Sequence, residues 1–326
     1  MSVVQRRRAL VAGAGAVAGI LGAPAAALAQ ALQGRPITFV LGSGPGSTYE
    51  PVVRYLNAEF PKQVGQPLII DYKPGAGGMI GANFVRSAKP DGLTYLYGSV
   101  LGIHPIFIKN NPIVATRDLT PVTACAFTPW VLGAASRFKN TQDLIAYSKA
   151  NPGRLKVGHS TLGVMLTGAQ MMQKLGLTGE FIPYKSGTQM TLACASGEID
   201  MCPSAINASM NGLIDSGKMN GIMITSDKRA PSLPGTPTVA ELGFPDLAVL
   251  GVTQGVWGPP GLPAEIANAF SASIAKILRT PEADKALATA VMGDLLASTP
   301  QEQARRYDAE MRFIGDAARA INFKAE

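Results

Sequence analysis

Histidine and cysteine are scarce in this 326-residue sequence, and their scarcity argues against two kinds of site. His104 and His159 are the only histidines, so a histidine-based metal centre is not expected. Cys125, Cys194 and Cys202 make an odd number, which excludes a full disulfide framework. We predict that all three are small buried thiols, with one disulfide between positions 194 and 202 as the alternative.

Charge is also sparse. Charged residues make up 16% of the chain and hydrophobic residues 47%, which indicates a folded protein with a sizeable core. The 29 basic residues exceed the 22 acidic ones, but three arginines stand at positions 6–8. Without these arginines the excess of basic over acidic residues is small. A small positive charge suits a small anionic ligand and is too weak to indicate binding of nucleic acid. The aromatic residues are scattered rather than interleaved with basic clusters, which also argues against nucleic acid.

The amino terminus has the pattern of an export signal. The arginines at 6–8 precede an Ala/Gly/Val/Leu run over residues 9–28, and Ala27 and Ala29 are the small residues that a signal peptidase reads. We therefore predict removal of residues 1–29. A transmembrane anchor is the disfavoured alternative, because the run is rich in Ala and Gly and ends at a cleavage site. The arginine cluster leaves both the general and the twin-arginine export routes open.

Enzyme signatures are missing from the sequence. Two glycine-rich segments, 13–19 and 75–81, lack the Walker lysine, the first lies in the predicted signal, and the second has the wrong spacing for a dinucleotide loop. No Gly-x-Ser-x-Gly motif occurs. The neighbours His159 and Ser160 keep a secreted serine hydrolase as an alternative, although no third orienting group is visible. We predict a protein that is not an enzyme and that needs no cofactor or metal.

Short apolar runs alternate with helical stretches along the chain. Predicted strands at 37–41, 67–72 and 93–97 with helices between them indicate a parallel sheet covered on both faces. The alternation starts again after Thr141, which is predicted to cap a helix, and a last helix is expected from Pro300 to about residue 320. The sequence therefore predicts an α/β protein.

Two lobes are expected from the spacing of these elements. The first crossing between them is predicted near residues 120–132 and the return near 251–259. Residues 30–130 would form the first part of lobe 1, residues 131–250 lobe 2, and residues 251–326 the return strand and the carboxyl-terminal helices of lobe 1.

Ligands of open parallel sheets bind at the carboxyl ends of the strands. In this chain the corresponding loops are rich in Gly, Ser and Thr, which bring backbone N–H groups and hydroxyls close to a ligand. These loops are 42–48, 73–81, 98–102, 158–163 and 203–207. Loop 42–48 is the best single candidate, because Thr48 is predicted to cap the helix that follows it.

A series of short motifs runs through the chain in a fixed order. They are Gly46-Ser47-Thr48, the segments 71–78, 89–94 and 118–122, Pro183-Tyr184-Lys185, and the segment 233–241. Together they resemble the receptors of the tripartite tricarboxylate transporter (TTT) family, also called the Bug family of periplasmic binding proteins. The chain departs from the family pattern at Glu50, His159 and Ser204, where the family often has other residues.

The resemblance implies a two-lobed periplasmic-binding-protein fold, type II-like, with the ligand cleft between the lobes. It implies a periplasmic monomer that captures a small organic carboxylate, and a large and a small membrane subunit of an importer as partners. A receptor that presents its ligand to a membrane sensor stays an alternative.

The predicted ligand-binding residues come from both lobes. Their hydroxyls and backbone N–H groups would surround the carboxylate, with water bridges filling the gaps. The set consists of Gly46, Ser47, Thr48, Glu50, Ser99, Thr128, His159, Ser160, Thr161, Tyr184 and Ser204. Glu50 has two interpretations: it either points away and stabilises its helix, which we favour, or faces the cleft and selects a ligand that carries a hydrogen-bond donor.

Overall fold

The strands of the protein form one continuous mixed sheet. The computed structural model describes residues 35–108, 111, 113–320 and 323, so the predicted export signal lies outside the described residues. Of the ten strands in the described part of the sheet, eight are ordered β2-β1-β3-β9-β4-β7-β5-β6, and the other two, β8 and β10, both pair with β4.

Strands and helices alternate along most of the chain. The strands are β1 (Ile37–Leu41), β2 (Leu68–Tyr72), β3 (Thr94–Gly98), β4 (Thr120–Ala135), β5 (Leu155–His159), β6 (Gly179–Pro183), β7 (Met201–Ala205), β8 (Met219–Ile224), β9 (Gly251–Gly258) and β10 (Asp294–Leu295). The helices are α1 (Glu50–Val64), α2 (Met79–Arg86), α3 (Ala115–Asp118), α4 (Thr141–Ala150), α5 (Leu162–Leu175), α6 (Gly187–Ser196), α7 (Ala208–Asp215), α8 (Ala264–Leu278), α9 (Pro281–Val291) and α10 (Pro300–Ala320). Short 3-10 turns lie at Ala76–Gly78, Leu101–Ile103 and Pro245–Val249.

The 16-residue strand β4 joins two halves of the sheet. Up to Pro129, which lies opposite Gly251, β4 pairs with β9. From Trp130 onward it pairs with β7 and β8. We call β1–β3, β9, β10 and the first part of β4 the first half, and β5–β8 with the rest of β4 the second half. Because β4 and β9 meet at this change of partner, the two halves are joined there.

Each half has its own hydrophobic core. In the first half the rings of Phe39, Tyr95 and Phe270 pack together, with the Tyr95 and Phe270 centroids 4.3 Å apart. In the second half Val157 and Met171 belong to a separate buried cluster. Each half is therefore held together by a core of its own, and the chain passes between the halves on β4 and at the start of β9.

The predicted α/β fold is confirmed, and so is the parallel pairing predicted for the first three strands. Strands β1, β2 and β3 are parallel, as are β5 and β6. Strands β4 and β9 run antiparallel to their neighbours. The chain crosses between the halves on β4 and returns on β9, so these two strands run in opposite directions.

The helix caps predicted at Thr48 and Thr141 are wrong. Helix α1 begins at Glu50 without a side-chain cap, so Thr48 does not cap it; the Glu50 carboxylate reaches back and accepts from the Gly46 N–H. Helix α4 is capped by Asn140, whose extended backbone lets its side chain accept from the Asp143 N–H at 2.9 Å.

Three further features bear on function. Among the described residues, no helix is both long enough and apolar enough to cross a bilayer. In the same part of the chain, no group of three His, Cys, Asp or Glu side chains is placed to hold a metal ion. Cys125, Cys194 and Cys202 are buried free thiols.

Candidate ligand-binding site

A cavity of about 580 Å³ lies where the two halves of the sheet meet. Its volume is within the range of small-molecule sites, roughly 300–1,000 Å³. Both halves contribute to its wall, together with helix α10. The lining residues are Tyr49, Gly77, Ser99, Leu101, Gly102, Phe107, Ile108, Trp130, Thr161, Leu162, Gly163, Thr167, Leu250, Gly251, Val252, Glu310 and Ile314.

The wall of this cavity is mostly apolar. Large side chains such as Phe107, Trp130 and Ile314 cover much of it, and hydroxyls from Ser99 and Thr161 are added at intervals. Neither Lys nor Arg occurs among the lining residues, and Glu310 is the single charged side chain there. A bound anion must therefore be held by N–H groups and hydroxyls rather than by an ion pair.

The amino terminus of helix α5 supplies such N–H groups. Thr161 is its N-cap, and its hydroxyl accepts from the Val164 N–H at 3.2 Å. The N–H groups of Leu162 and Gly163 lie in the first turn, where no intrahelical acceptor exists. Both residues line the cavity, and the positive end of the helix dipole favours an anion at this point.

A second cavity of about 380 Å³ adjoins the first. It shares Tyr49, Gly77 and Ser99 with the first cavity and adds Gly42 and Ser43. The loops that follow β1, β2 and β3 therefore meet here, as expected for the carboxyl ends of neighbouring parallel strands. Ser99 lies at the junction of the two cavities.

Comparison with known proteins identifies the family. Residues 52–320 match the family described as tripartite tricarboxylate transporter family receptor. The chain belongs to this family. The resemblance drawn from the motifs is thus confirmed.

Individual relatives agree with this assignment. The receptor is 30% identical over 263 residues to a UPF0065 protein from the tcbD–tcbE intergenic region of a Pseudomonas species, covering 79% of this chain and 78% of that protein. It is 26% identical over 292 residues to BugT of Bordetella pertussis, covering 86% of this chain and 88% of that protein. Among solved structures, an R. palustris protein with adipate superimposes with a TM-score of 0.70 at 25% identity, covering 90% of the receptor and 99% of that chain.

The structure places two of the predicted site residues, Ser99 and Thr161, in the wall of the main cavity. Thr161 was predicted to lie in the loop 158–163, but helix α5 begins at Leu162, so Thr161 is a cap rather than part of a free loop. Its hydroxyl oxygen is engaged by the Val164 N–H, which leaves its proton free to donate.

The loop predicted as the best candidate contributes less than expected. Gly46 and Thr48 are exposed and, like Ser47, are not among the residues that line the cavity. The Ser43 hydroxyl donates a hydrogen bond to the Ser47 hydroxyl at 2.9 Å.

Glu50 is buried and fully engaged within its own half. Its carboxylate accepts from the Tyr72 hydroxyl at 2.6 Å, from Arg54 Nε at 2.6 Å and from the Gly46 N–H. The Tyr72 hydrogen bond, followed by that of Gly46, lowers the pKa of this carboxyl. These contacts are those of the structural interpretation, in which Glu50 fixes the entry to helix α1.

Three further predicted residues have partners outside the cavity. The Thr128 hydroxyl donates to the Val291 carbonyl at 2.9 Å, at the end of helix α9. The Tyr184 hydroxyl donates to Glu198 at 2.9 Å, and burial with this contact raises its pKa to about 12. The Ser204 hydroxyl donates to the carbonyl of its neighbour Ala205 at 3.0 Å.

His159 and Ser160 do not form a nucleophilic pair. The His159 ring packs edge-on against Phe181 with centroids 6.2 Å apart, and burial lowers its pKa. In the described part of the chain no hydrogen bond joins the Ser160 hydroxyl to this ring.

Sequence reasoning missed the residues that give the cavity its character. Tyr49 lies against Gly98, where an added Cβ would come within 3.3 Å of the tyrosine ring. Glu310 lies on the buried face of α10 with Gln303 and Tyr307. The sequence did contain a signal for Glu310: an acidic residue at helical spacing on the apolar face of a helix. Burying a carboxylate costs free energy, so such a residue often has a functional or structural role.

Proposed function

We propose that the receptor captures a small organic carboxylate in the main cavity and delivers it to the large and small membrane subunits of a TTT importer. Receptors of this family work in the periplasm as binding proteins rather than as enzymes. The R. palustris structure that contains adipate supports a carboxylate ligand.

The observation that carries this proposal is the amino terminus of α5 in the cavity wall. Leu162 and Gly163 offer two N–H groups without intrahelical partners, and Ser99 and Thr161 add hydroxyls. A carboxylate has two acceptor oxygens and binds such donors with charge-assisted hydrogen bonds. The apolar remainder of the wall suits the carbon skeleton of the acid.

The cavity also suggests how capture occurs. Its wall is shared between halves that are joined at Pro129, Trp130 and Gly251. A ligand that contacts both halves has more contacts when they close, so it shifts the population toward the closed form.

Substitution Gly163→Asp tests the anion site. The position has no positive φ, and an added Cβ would meet only the Thr161 hydroxyl, at 3.8 Å. A carboxylate near a helix amino terminus stabilises the helix, so the variant should fold normally. Its side chain should occupy the donors and repel the ligand, weakening carboxylate binding by about tenfold or more, since charge-assisted hydrogen bonds contribute about 1.5–3 kcal/mol.

Ser209→Asp is the matched control. Ser209 is exposed and holds the same second position in helix α7 as Gly163 does in α5, but it does not line the cavity. A panel of organic acids is measured by calorimetry against both variants and the parent. The proposal fails if no acid binds the parent, or if Gly163→Asp binds acids as tightly as Ser209→Asp does.

A further inference from the structure

Glu310 is a buried carboxyl group in the wall of the ligand cavity. It is 3% exposed, and it comes from the middle of helix α10 rather than from any loop at a strand end. It also borders a separate void of only about 10 Å³, together with Gln303 and Thr253. A void of that size is at the lower limit for a single water molecule. The carboxyl group is therefore accessible chiefly from the ligand cavity.

The two oxygens of Glu310 are not equally satisfied. Oε1 accepts from the Thr253 hydroxyl, and Arg306 Nε lies 3.5 Å from the same oxygen. Among the described residues Oε2 has no hydrogen-bond partner. Arg306 has closer partners than Glu310: its Nε donates to the Thr253 hydroxyl at 2.9 Å, and its guanidinium covers the Phe127 ring at 4.1 Å.

Glu50 shows what a satisfied buried carboxylate looks like in this protein. It has donors from Gly46, Arg54 and Tyr72, and none of those contacts involves the main cavity. Glu310 has one firm donor and faces the cavity. A ligand that covers this oxygen without supplying a donor leaves it buried and unpartnered, which is unfavourable, so a ligand that supplies a donor gains relative to one that does not.

We propose that Glu310 is the specificity-determining residue of the cavity: its free oxygen accepts a hydrogen bond from a hydroxyl or ammonium group of the bound acid. The inference rests on the proposed carboxylate-binding function. The ligand carboxylate lies at the amino terminus of α5 and the donor meets Glu310. Hydroxy- and amino-carboxylates are then preferred over unsubstituted acids, and a second carboxylate placed beside Glu310 is disfavoured.

The protonation of Glu310 bears on the choice of conditions. Burial raises its pKa to about 7, and Thr253 and Arg306 act in the opposite direction. Of the neighbouring groups, Arg306 is cationic, while Thr253, Gln303 and Tyr307 are uncharged. Binding is therefore measured at pH 8, where Glu310 is ionised and acts as an acceptor only.

The test uses acids that share one carbon skeleton. Hexanoate, 2-hydroxyhexanoate, 6-hydroxyhexanoate, 2-aminohexanoate, 6-aminohexanoate and adipate are titrated into the parent protein and Glu310→Gln by calorimetry. The parent should bind at least one hydroxy or amino acid about tenfold more tightly than hexanoate, which corresponds to roughly 1.4 kcal/mol. In Glu310→Gln this ratio should fall toward one, and adipate should bind more tightly than it does to the parent.

Asp308→Asn is the control, since it removes the same charge from an exposed position of the same helix. It should leave every ratio unchanged. An unchanged preference in Glu310→Gln, or a parent that favours hexanoate or adipate over all the substituted acids, overturns the role of Glu310 while leaving carboxylate binding intact. If none of the six acids binds any of the three proteins, the proposed function fails, and the inference falls with it. Melting temperatures confirm that both variants are folded.

Discussion

The ionisation of Glu310 should make the stability of the folded receptor depend on pH. Its pKa is raised from an ordinary value of 4.5 to about 7, with burial as the largest cause. Between these two values the folded chain holds a proton that the unfolded chain has lost. Stability therefore falls as pH rises from about 4.5 to 7, and above 7 the folded state carries the full penalty of a buried charge.

The size of this penalty follows from the shift. A difference of two to three pKa units corresponds to about 3 kcal/mol, and the side chain is too buried for solvent to screen it. The opposing ion pair is weak, because Arg306 Nε is 3.5 Å from Oε1 and the Arg306 side chain is 29% exposed. Glu310→Gln keeps the shape and an acceptor for Thr253 but cannot ionise.

Urea denaturation of the parent and Glu310→Gln at pH 5 and pH 8 measures the effect. The variant should gain about 2–3 kcal/mol relative to the parent on going from pH 5 to pH 8. Other groups titrate in this window: burial lowers the pKa of His104 and of His159, so acidification below about 6.5 destabilises both proteins. That contribution is common to both proteins and cancels in the difference.

A difference in unfolding free energy between variant and parent that is the same at both pH values would refute the reasoning. A variant less stable than the parent at pH 8 would show that the Arg306 ion pair outweighs burial.

Two further predictions concern the joint between the halves. Saturating ligand should reduce the radius of gyration measured by small-angle scattering, because closure adds contacts with both halves, and an unchanged radius would argue for a rigid cleft. Gly251→Ala should destabilise the protein by about 1–3 kcal/mol in urea denaturation, since its Cβ would lie 1.9 Å from the Phe127 ring. Gly212→Ala, in an exposed part of helix α7 with nothing within 4 Å, should be neutral or stabilising by up to about 1 kcal/mol, and equal effects at both positions would contradict the steric explanation.

Much of the fold was predictable because local chemistry determined it. Strand β1 has the predicted bounds of 37–41, since an apolar run is followed directly by a glycine-rich turn. The last helix begins at Pro300, where Thr299 and Glu302 form the capping box: the Glu302 N–H donates to the threonine hydroxyl at 3.2 Å and the Thr299 N–H donates to the carboxylate at 2.7 Å. Signals of this kind need no knowledge of distant residues.

Helix starts were less predictable than the bounds of β1. Thr161 was expected in a free loop, but its hydroxyl caps α5 by accepting from the Val164 N–H. Helix α1 begins at Glu50 without a side-chain cap, although Thr48 was expected to supply one. The Glu50 carboxylate instead accepts from the Gly46 N–H in the preceding loop and from the Tyr72 hydroxyl, which comes from β2. The contact with Tyr72 depends on the tertiary structure, and a local sequence pattern does not reveal it.

The wall of the cavity was the least predictable part, because some of its residues come from a helix at the far end of the chain. The rule that ligands bind at the carboxyl ends of strands pointed to Ser99 and to the loop before α5, and both lie in the cavity wall. It is silent about a helix from the far end of the chain. Helix α10 packs against β4 and α5, so it crosses the joint between the halves and places Glu310 and Ile314 in the cavity. Glu310 was visible in the sequence as an acidic residue on the buried face of this helix, but its role depends on the cavity that it faces. That cavity has backbone donors at one side and a carboxyl group with an unpartnered oxygen at another. Such an arrangement selects acids that carry a hydrogen-bond donor of their own.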